Sequence, residues 1–155
     1  MKTVIKMKKI LVLLTFVLFS FMLTGCSNKN GVTKEEFKNK MIQKNFYVNK
    51  STNPSGDTIK TILFANNKKF QIEFYEFKTE KYAKDAYNSN KKMFKNYKKK
   101  NSKEKETSSD NYNYYFLDET DTYYSVARSG KTLLYTQSNS IYKKDIKNIF
   151  KELNY

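Results

Sequence analysis

The chain contains one cysteine, Cys26, and no histidine. With a single thiol no internal disulfide can form, so the globular part of the molecule must fold on core packing alone. Cys26 also stands at the end of a distinctive leader. Lys2, Lys6, Lys8 and Lys9, with no acid among them, precede Ile10 to Leu23, an almost wholly apolar run, and Thr24-Gly25 complete the approach to the cysteine. Fourteen residues at helical rise span about 21 Å. A lasting transmembrane helix needs roughly 20 apolar residues, so the run is too short to be one.

The order Leu23-Thr24-Gly25-Cys26 resembles the lipobox of bacterial lipoproteins, a family defined by its leader rather than by any fold. The resemblance covers the leader alone. It implies cleavage between Gly25 and Cys26, a diacylglyceryl thioether on the Cys26 sulfur, and Cys26 as the mature N-terminus. Two plainer readings compete: a buried thiol behaving as a small hydrophobe, or an uncleaved anchor helix. Leader charge, apolar length, the small residue before the cysteine and the polar stretch after it all favour the lipoprotein. One acyl chain binds a membrane only marginally, whereas two, at about 0.8 kcal/mol per buried CH₂, hold a protein stably. The expected organisation is a signal peptide over 1–25, a polar tether over 26–32 and a single α+β domain over 33–155. The expected location is the extracytoplasmic face of the cell membrane.

Residues 26–155 are the usual size of one domain. The chain carries a net charge of +15, and of its 30 basic residues all but Arg128 are lysine. Such a balance favours anionic surroundings: lipid headgroups, an anionic wall polymer such as teichoic acid, or nucleic acid. An AT-rich genome yields the same lysine, asparagine and tyrosine excess without any selection for binding. The composition suggests a Gram-positive source.

Thr33 and Glu36 have the spacing of a capping box, which starts a helix with Phe37, Met41 and Ile42 turned inward and an end near Asn45. Phe46-Tyr47-Val48 is a short β-prone run, closed by the turn-rich segment Ser51 to Asp57. Thr58 to Ala65 and Lys69 to Phe77 form a hairpin through Asn66-Asn67-Lys68, where the asparagines tolerate the positive φ of a tight turn. Phe70, Ile72 and Phe74 alternate with polar residues and belong in the core. Thr79 opens a long helix bearing Tyr82, Ala83, Ala86, Tyr87, Met93, Phe94 and Tyr97 at helical spacing. The segment after it reads as a frayed end and a solvated loop. Strands follow at Tyr112 to Leu117, Thr122 to Arg128 and Lys131 to Gln137. Ser140 then caps a last helix with Tyr142, Ile146, Ile149, Phe150 and Leu153 on one side.

This order reads α-β-β-β, α-β-β-β, α, which allows a duplication of element order. Hairpin-spaced strands leave no room for parallel crossovers. The expected fold is α+β, an antiparallel sheet with about three helices on one face. Tyr75, Tyr115 and Tyr123 fall to the opposite face, either as a binding surface or as a second place where helices pack.

Catalytic chemistry finds little support. Without histidine, and with the cysteine committed to lipid, the usual proton shuttle and thiolate are missing. Two carboxylates suffice for a glycosidase, yet Glu73 and Glu76 leave opposite faces of a strand. Asp118, Glu119 and Asp121 lack the spacing and central glycine of a calcium loop and read as a hydrophilic turn. No phosphate-cradling glycine loop or nucleophile elbow is present. No catalytic residue, metal ligand or cofactor is therefore assigned.

The sharper binding feature is the run Lys91, Lys92, Lys95, Lys98, Lys99, Lys100, Lys103 and Lys105, interrupted by a single acid, Glu104. Each near-surface lysine contributes up to about 1 kcal/mol against an anionic leaflet. A solvated helix face is the plainer interpretation. Specific nucleic-acid reading relies on arginine forks, which argues against it here. The leading expectation is a non-enzymatic, lipid-anchored envelope domain that contacts an anionic wall polymer, a lipid headgroup or an envelope protein. The alternatives are a small-ligand binding lipoprotein, which usually needs two lobes and a longer chain, and a carboxylate-based hydrolase.

Overall fold

The computed structural model describes residues 31–51 and 56–155; the leader, Cys26, most of the expected tether and part of the turn before Asp57 lie outside the described residues. The elements are α1 (Lys34–Gln43), β1 (Tyr47–Lys50), β2 (Ile59–Asn66), β3 (Gln71–Phe77), α2 (Glu80–Lys95), β4 (Lys103–Ser108), β5 (Tyr112–Asp118), β6 (Thr122–Ser129), β7 (Thr132–Asn139), a 3-10 turn (Ser140–Tyr142) and α3 (Lys143–Glu152). The strands make one antiparallel sheet in the order β1-β2-β3-β7-β6-β5-β4. The α+β class, the antiparallel pairing and the C-terminal helix match expectation. The β3–β7 pair joins the two halves, so β3 meets the last strand of the chain, and β4, the strand that follows β3 in sequence, stands at the far edge of an open sheet.

The capping box is formed: Thr33 Oγ1 accepts from the Glu36 amide, and Glu36 accepts from the Thr33 amide at 2.8 Å. Phe37 and Met41 are fully buried, whereas Ile42 is half exposed and does not belong to the inward face. Asn45 at φ +62° ends α1, and the Phe46 amide closes back onto the Met41 carbonyl at 2.9 Å. This is the left-handed helix stop that asparagine tolerates. Phe70, Ile72 and Phe74 are buried as expected. In the β2–β3 turn the positive φ falls on Lys68 instead of an asparagine, because the Asn67 side chain is occupied accepting from the Lys69 and Phe70 amides.

The helices do not share one face. α1 and α3 bury Phe37, Met41, Ile146, Ile149 and Phe150 against Phe74, Tyr123, Ala127 and Leu134. α2 buries Ala83, Tyr87 and Phe94 against Tyr115, Tyr124, Val126 and Leu133 on the other side. Alternate residues of a strand point to opposite faces, and β6 and β7 place apolar side chains on both, so both faces must be covered. The tyrosines divide accordingly: Tyr115 is buried under α2, Tyr75 packs at the edge of that same layer, and Tyr123 is buried under α3. None forms the exposed aromatic sheet face that one-sided helices would have left.

Two further departures concern the second half. The loop expected after α2 contains an additional strand, β4, so this half supplies four strands rather than three. All six β4 residues are exposed. The last helix is not capped by Ser140, whose hydroxyl donates to the Glu119 carbonyl at 2.7 Å; the Asn139 side chain instead caps the 3-10 turn by accepting from the Ile141 amide. Among the described residues no helix is long and apolar enough to cross a membrane.

Candidate functional site

β4 has different chemistry on its two sides. Glu104 and Glu106 turn toward α2, where Lys98 Nζ meets Glu104 at 2.5 Å and Lys91 Nζ meets Glu106 at 2.6 Å. Tyr115 Oη donates to Glu104 at 2.6 Å, and these bonds, that from Lys98 foremost, hold the Glu104 carboxyl below its ordinary range. Lys105 and Thr107 alternate with these acids and stand opposite Phe116 and Tyr114 of β5. They therefore occupy the α3 side.

On that side a groove of about 850 Å³ lies between the β4–β5 edge and α3. Tyr114 and Phe116 form its floor, and the Phe150 ring packs edge-on to Tyr114 with centroids 6.4 Å apart. Its cations are Lys105 from β4 and Lys147 and Lys151 from α3; Asp110 is the one carboxylate of the lining. Lys147 and Lys151 are four residues apart and so rise from one helix face on successive turns. Lys147 Nζ lies 4.2 Å from the Phe116 ring centroid and 5.5 Å from that of Tyr123. None of the three lysines makes an ion pair with a carboxylate of the described residues. Their charge is left to solvent or to a ligand.

The phenols of Tyr112 and Tyr114 in the groove, and of Tyr123 buried beside it, stay neutral. Burial pushes Tyr112, Tyr114 and Tyr123 above the usual phenol value, and the Tyr114 and Tyr123 hydroxyls share a hydrogen bond at 3.1 Å. A neutral phenol offers a ring face and a hydroxyl, which suits an oxygen-rich anion with an apolar or sugar-like part.

The expected lysine run is divided by the sheet. Lys91, Lys92 and Lys95 are on α2, Lys98, Lys99 and Lys100 are in the turn that follows, and Lys103 and Lys105 are on β4. Lys91 and Lys98 are neutralised as described, and Lys95 lies 5.8 Å over the Tyr115 ring. Only Lys105 of the eight lines the groove. Lys147 and Lys151 were not singled out from the sequence. They are scattered among the other lysines, and their four-residue spacing on an amphipathic helix was the signal that marked them.

The acids are spent elsewhere. Asp118 pairs with Lys143 at 2.9 Å and accepts from Ser140; Glu119 accepts from the Ser102 hydroxyl and the Lys99 amide. Glu73 accepts from Tyr75 and Gln71, while Glu76 lies 3.8 Å from Lys60. Glu73 stands opposite Tyr135 and Glu76 lines a hollow beneath α1, so the two carboxylates do leave opposite faces. Among the described residues no three carboxylate or thiol side chains gather as a metal would require.

One end of the sheet is tied tightly together. Arg128, 1% exposed, donates from Nε to Asn113 Oδ1 at 2.7 Å, from one terminal nitrogen to the Gly130 carbonyl at 3.0 Å and from the other to the Asp110 carbonyl at 2.9 Å. It thereby joins the β4–β5 turn to the β6–β7 turn. The chain enters the fold here, where the Gly31 amide donates to Ser129 Oγ at 2.7 Å. A Cβ on Gly31 would stand 2.6 Å from Thr132 Oγ1 and 2.6 Å from Tyr155 Oη, so a side chain here must displace one of them.

Compared with protein-family models, with curated proteins and with solved structures, the chain matches none.

Proposed function

We propose that the chain is a lipid-anchored envelope lipoprotein, held by a diacylglyceryl group on Cys26 at the extracytoplasmic face of the cell membrane. Its domain acts by binding rather than by catalysis. The ligand is anionic, a wall polymer, a lipid headgroup or an envelope protein, and it is taken up in the groove between α3 and the β4–β5 edge. The observation that supports this is the set of three lysines that line the groove without a carboxylate partner among the described residues, with Lys147 over the Phe116 ring of its aromatic floor. On the other side of β4, Glu106 and Glu104 are neutralised by Lys91 of α2 and Lys98 of the turn after it. The groove lysines are not.

Two measurements test the reading. Intact mass of the protein from its own host is expected to show cleavage before Cys26 and a diacylglyceryl adduct on its sulfur; an intact leader with an unmodified thiol would contradict the anchor. Retention of that protein on immobilised polyglycerol phosphate is expected to fall steeply as salt rises, since surface charges are screened within about 8 Å at physiological ionic strength. Retention that ignores salt would contradict an electrostatic site.

A second reading rests on size. A groove of about 850 Å³ lies within the range of small-molecule sites, roughly 300–1,000 Å³. A small anionic ligand would raise the melting temperature with its concentration.

A further inference from the structure

One end of the groove lies at the end of the sheet where the chain enters. Asp110, Asn111 and Tyr155 line its end; the Tyr155 hydroxyl lies against Gly31, and the Asp110-Asn111 turn is bonded through Arg128 and the Gly130 amide to the Ser129-Gly130 turn that holds Gly31. Gly31 is fixed by its amide bond to Ser129 and by the close approach of Thr132 and Tyr155. From Gly31 back to Cys26 there are five peptide steps, which reach about 18 Å at full extension. A lipid on Cys26 therefore holds this end of the sheet, and with it that end of the groove, close to the headgroup layer. The same end presents Lys34 and Lys131 beside Gly31, in addition to Lys151.

From this we infer that the groove receives the headgroup of an anionic glycerophospholipid from the bilayer that carries the anchor. The inference rests on the anchored reading above and names its ligand. The lipid phosphate meets Lys147 and Lys151, on adjacent turns of α3, while Lys105 closes from β4. The glycerol beyond the phosphate lies over Phe116 and Tyr114, at the inner end of the groove opposite Lys105, and the acyl chains stay on the bilayer side past Tyr155. Occupancy also relieves the repulsion between Lys147 and Lys151 at four-residue spacing. A soluble wall polymer would meet the same cations, but the short span to Cys26 makes the leaflet the nearest and most concentrated source of phosphate.

The test uses the full protein as isolated from its host, reconstituted into vesicles of phosphatidylcholine alone or of an equal mixture with phosphatidylglycerol. Amide exchange is read over α3 and β4. Exchange is expected to slow in the mixed vesicles only, and a Lys105→Gln, Lys147→Gln, Lys151→Gln variant is expected to lose that protection. At about fivefold per lysine beside an anionic leaflet, the three together are worth roughly a hundredfold in affinity. A Lys92→Gln, Lys99→Gln, Lys100→Gln variant, altered on exposed positions outside the groove, is expected to retain it. Equal exchange in both vesicles would overturn the inference. So would protection in neutral vesicles by soluble polyglycerol phosphate at the same phosphate concentration, which would assign the groove to a wall polymer. The mass of the same preparation separates the two failures: a lipidated Cys26 without protection sinks the headgroup alone, whereas an unmodified Cys26 removes the anchor and the inference with it.

Discussion

Arg128 is the one arginine in the chain, and its guanidinium is nearly sealed from water among three neutral acceptors. A planar fork reaches an amide oxygen and two carbonyls in different directions, which a lysine ammonium on a flexible stem does not. Arg128→Lys is therefore expected to destabilise the fold by about 3 kcal/mol, since buried acceptors lose charge-assisted bonds. Chemical denaturation measures the loss, and the slope of the transition should stay the same. Gly31 is constrained by space. In Gly31→Ala the added carbon meets the Thr132 and Tyr155 oxygens, and either the chain entry lifts off or the C-terminus shifts. The expected loss is about 1–3 kcal/mol, with faster amide exchange at Ser129–Thr132. Neither role was legible in the sequence. A lone arginine among many lysines is a difference of composition until its three acceptors are known, and a glycine after a polar stretch looks like any linker glycine.

The elements differ in how openly their sequences announced them. α1 was readable from Thr33, Glu36, Phe37 and Met41, because a capping box and a buried stripe are local signals. β3 was readable from Phe70, Ile72 and Phe74 for the same reason. β4 was not, because Lys103–Ser108 contains no apolar residue and its alternation is one of charge sign. Edge strands are often charged, which keeps them from pairing with other chains, and apolar periodicity does not detect them. The second-side packing of α2 was hidden for a related reason: it required noticing that Tyr123-Tyr124, Val126-Ala127 and Leu133-Leu134 place apolar groups on both faces of β6 and β7. β4 also carries a pH dependence. The Glu104 carboxyl sits below its ordinary value of 4.5 through Lys98 and Tyr115. A depressed carboxyl contributes stability that is complete above its unfolded value and is lost as pH falls through the folded one. Amide exchange over β4 is expected to accelerate below about pH 4.5 in the native chain. Glu104→Gln is expected to lack that component, while an unchanged profile would show that the Lys98 pair does not hold the edge.

Taken as a whole, the molecule is a sheet with a helix layer on each side, one of which falls short of an edge. α1 and α3 share one face, and the part of that face beside β4 and β5 remains open as the groove. Opposite it, Lys91 of α2 and Lys98 of the turn that follows pair with the acids of β4, so two of the eight lysines that stand out in the sequence are internally balanced. Unpaired cations also stand elsewhere on the surface of the described residues, among them Lys92, Lys99 and Lys100, but Lys105, Lys147 and Lys151 share one groove with an aromatic floor. This separates two explanations for a strongly basic chain: lysines that merely follow composition should contribute alike wherever they stand, whereas a binding groove concentrates the effect. The most direct discrimination is to compare two charge reversals of equal size in binding to immobilised polyglycerol phosphate and to mixed phosphatidylglycerol vesicles. Lys147→Glu with Lys151→Glu is expected to weaken binding to whichever of the two the native protein retains by tenfold or more, at about 1 kcal/mol per near-surface lysine, while Lys92→Glu with Lys99→Glu leaves it within about twofold. Equal losses from the two pairs would show that binding follows net charge, and the groove would have no claim to the ligand.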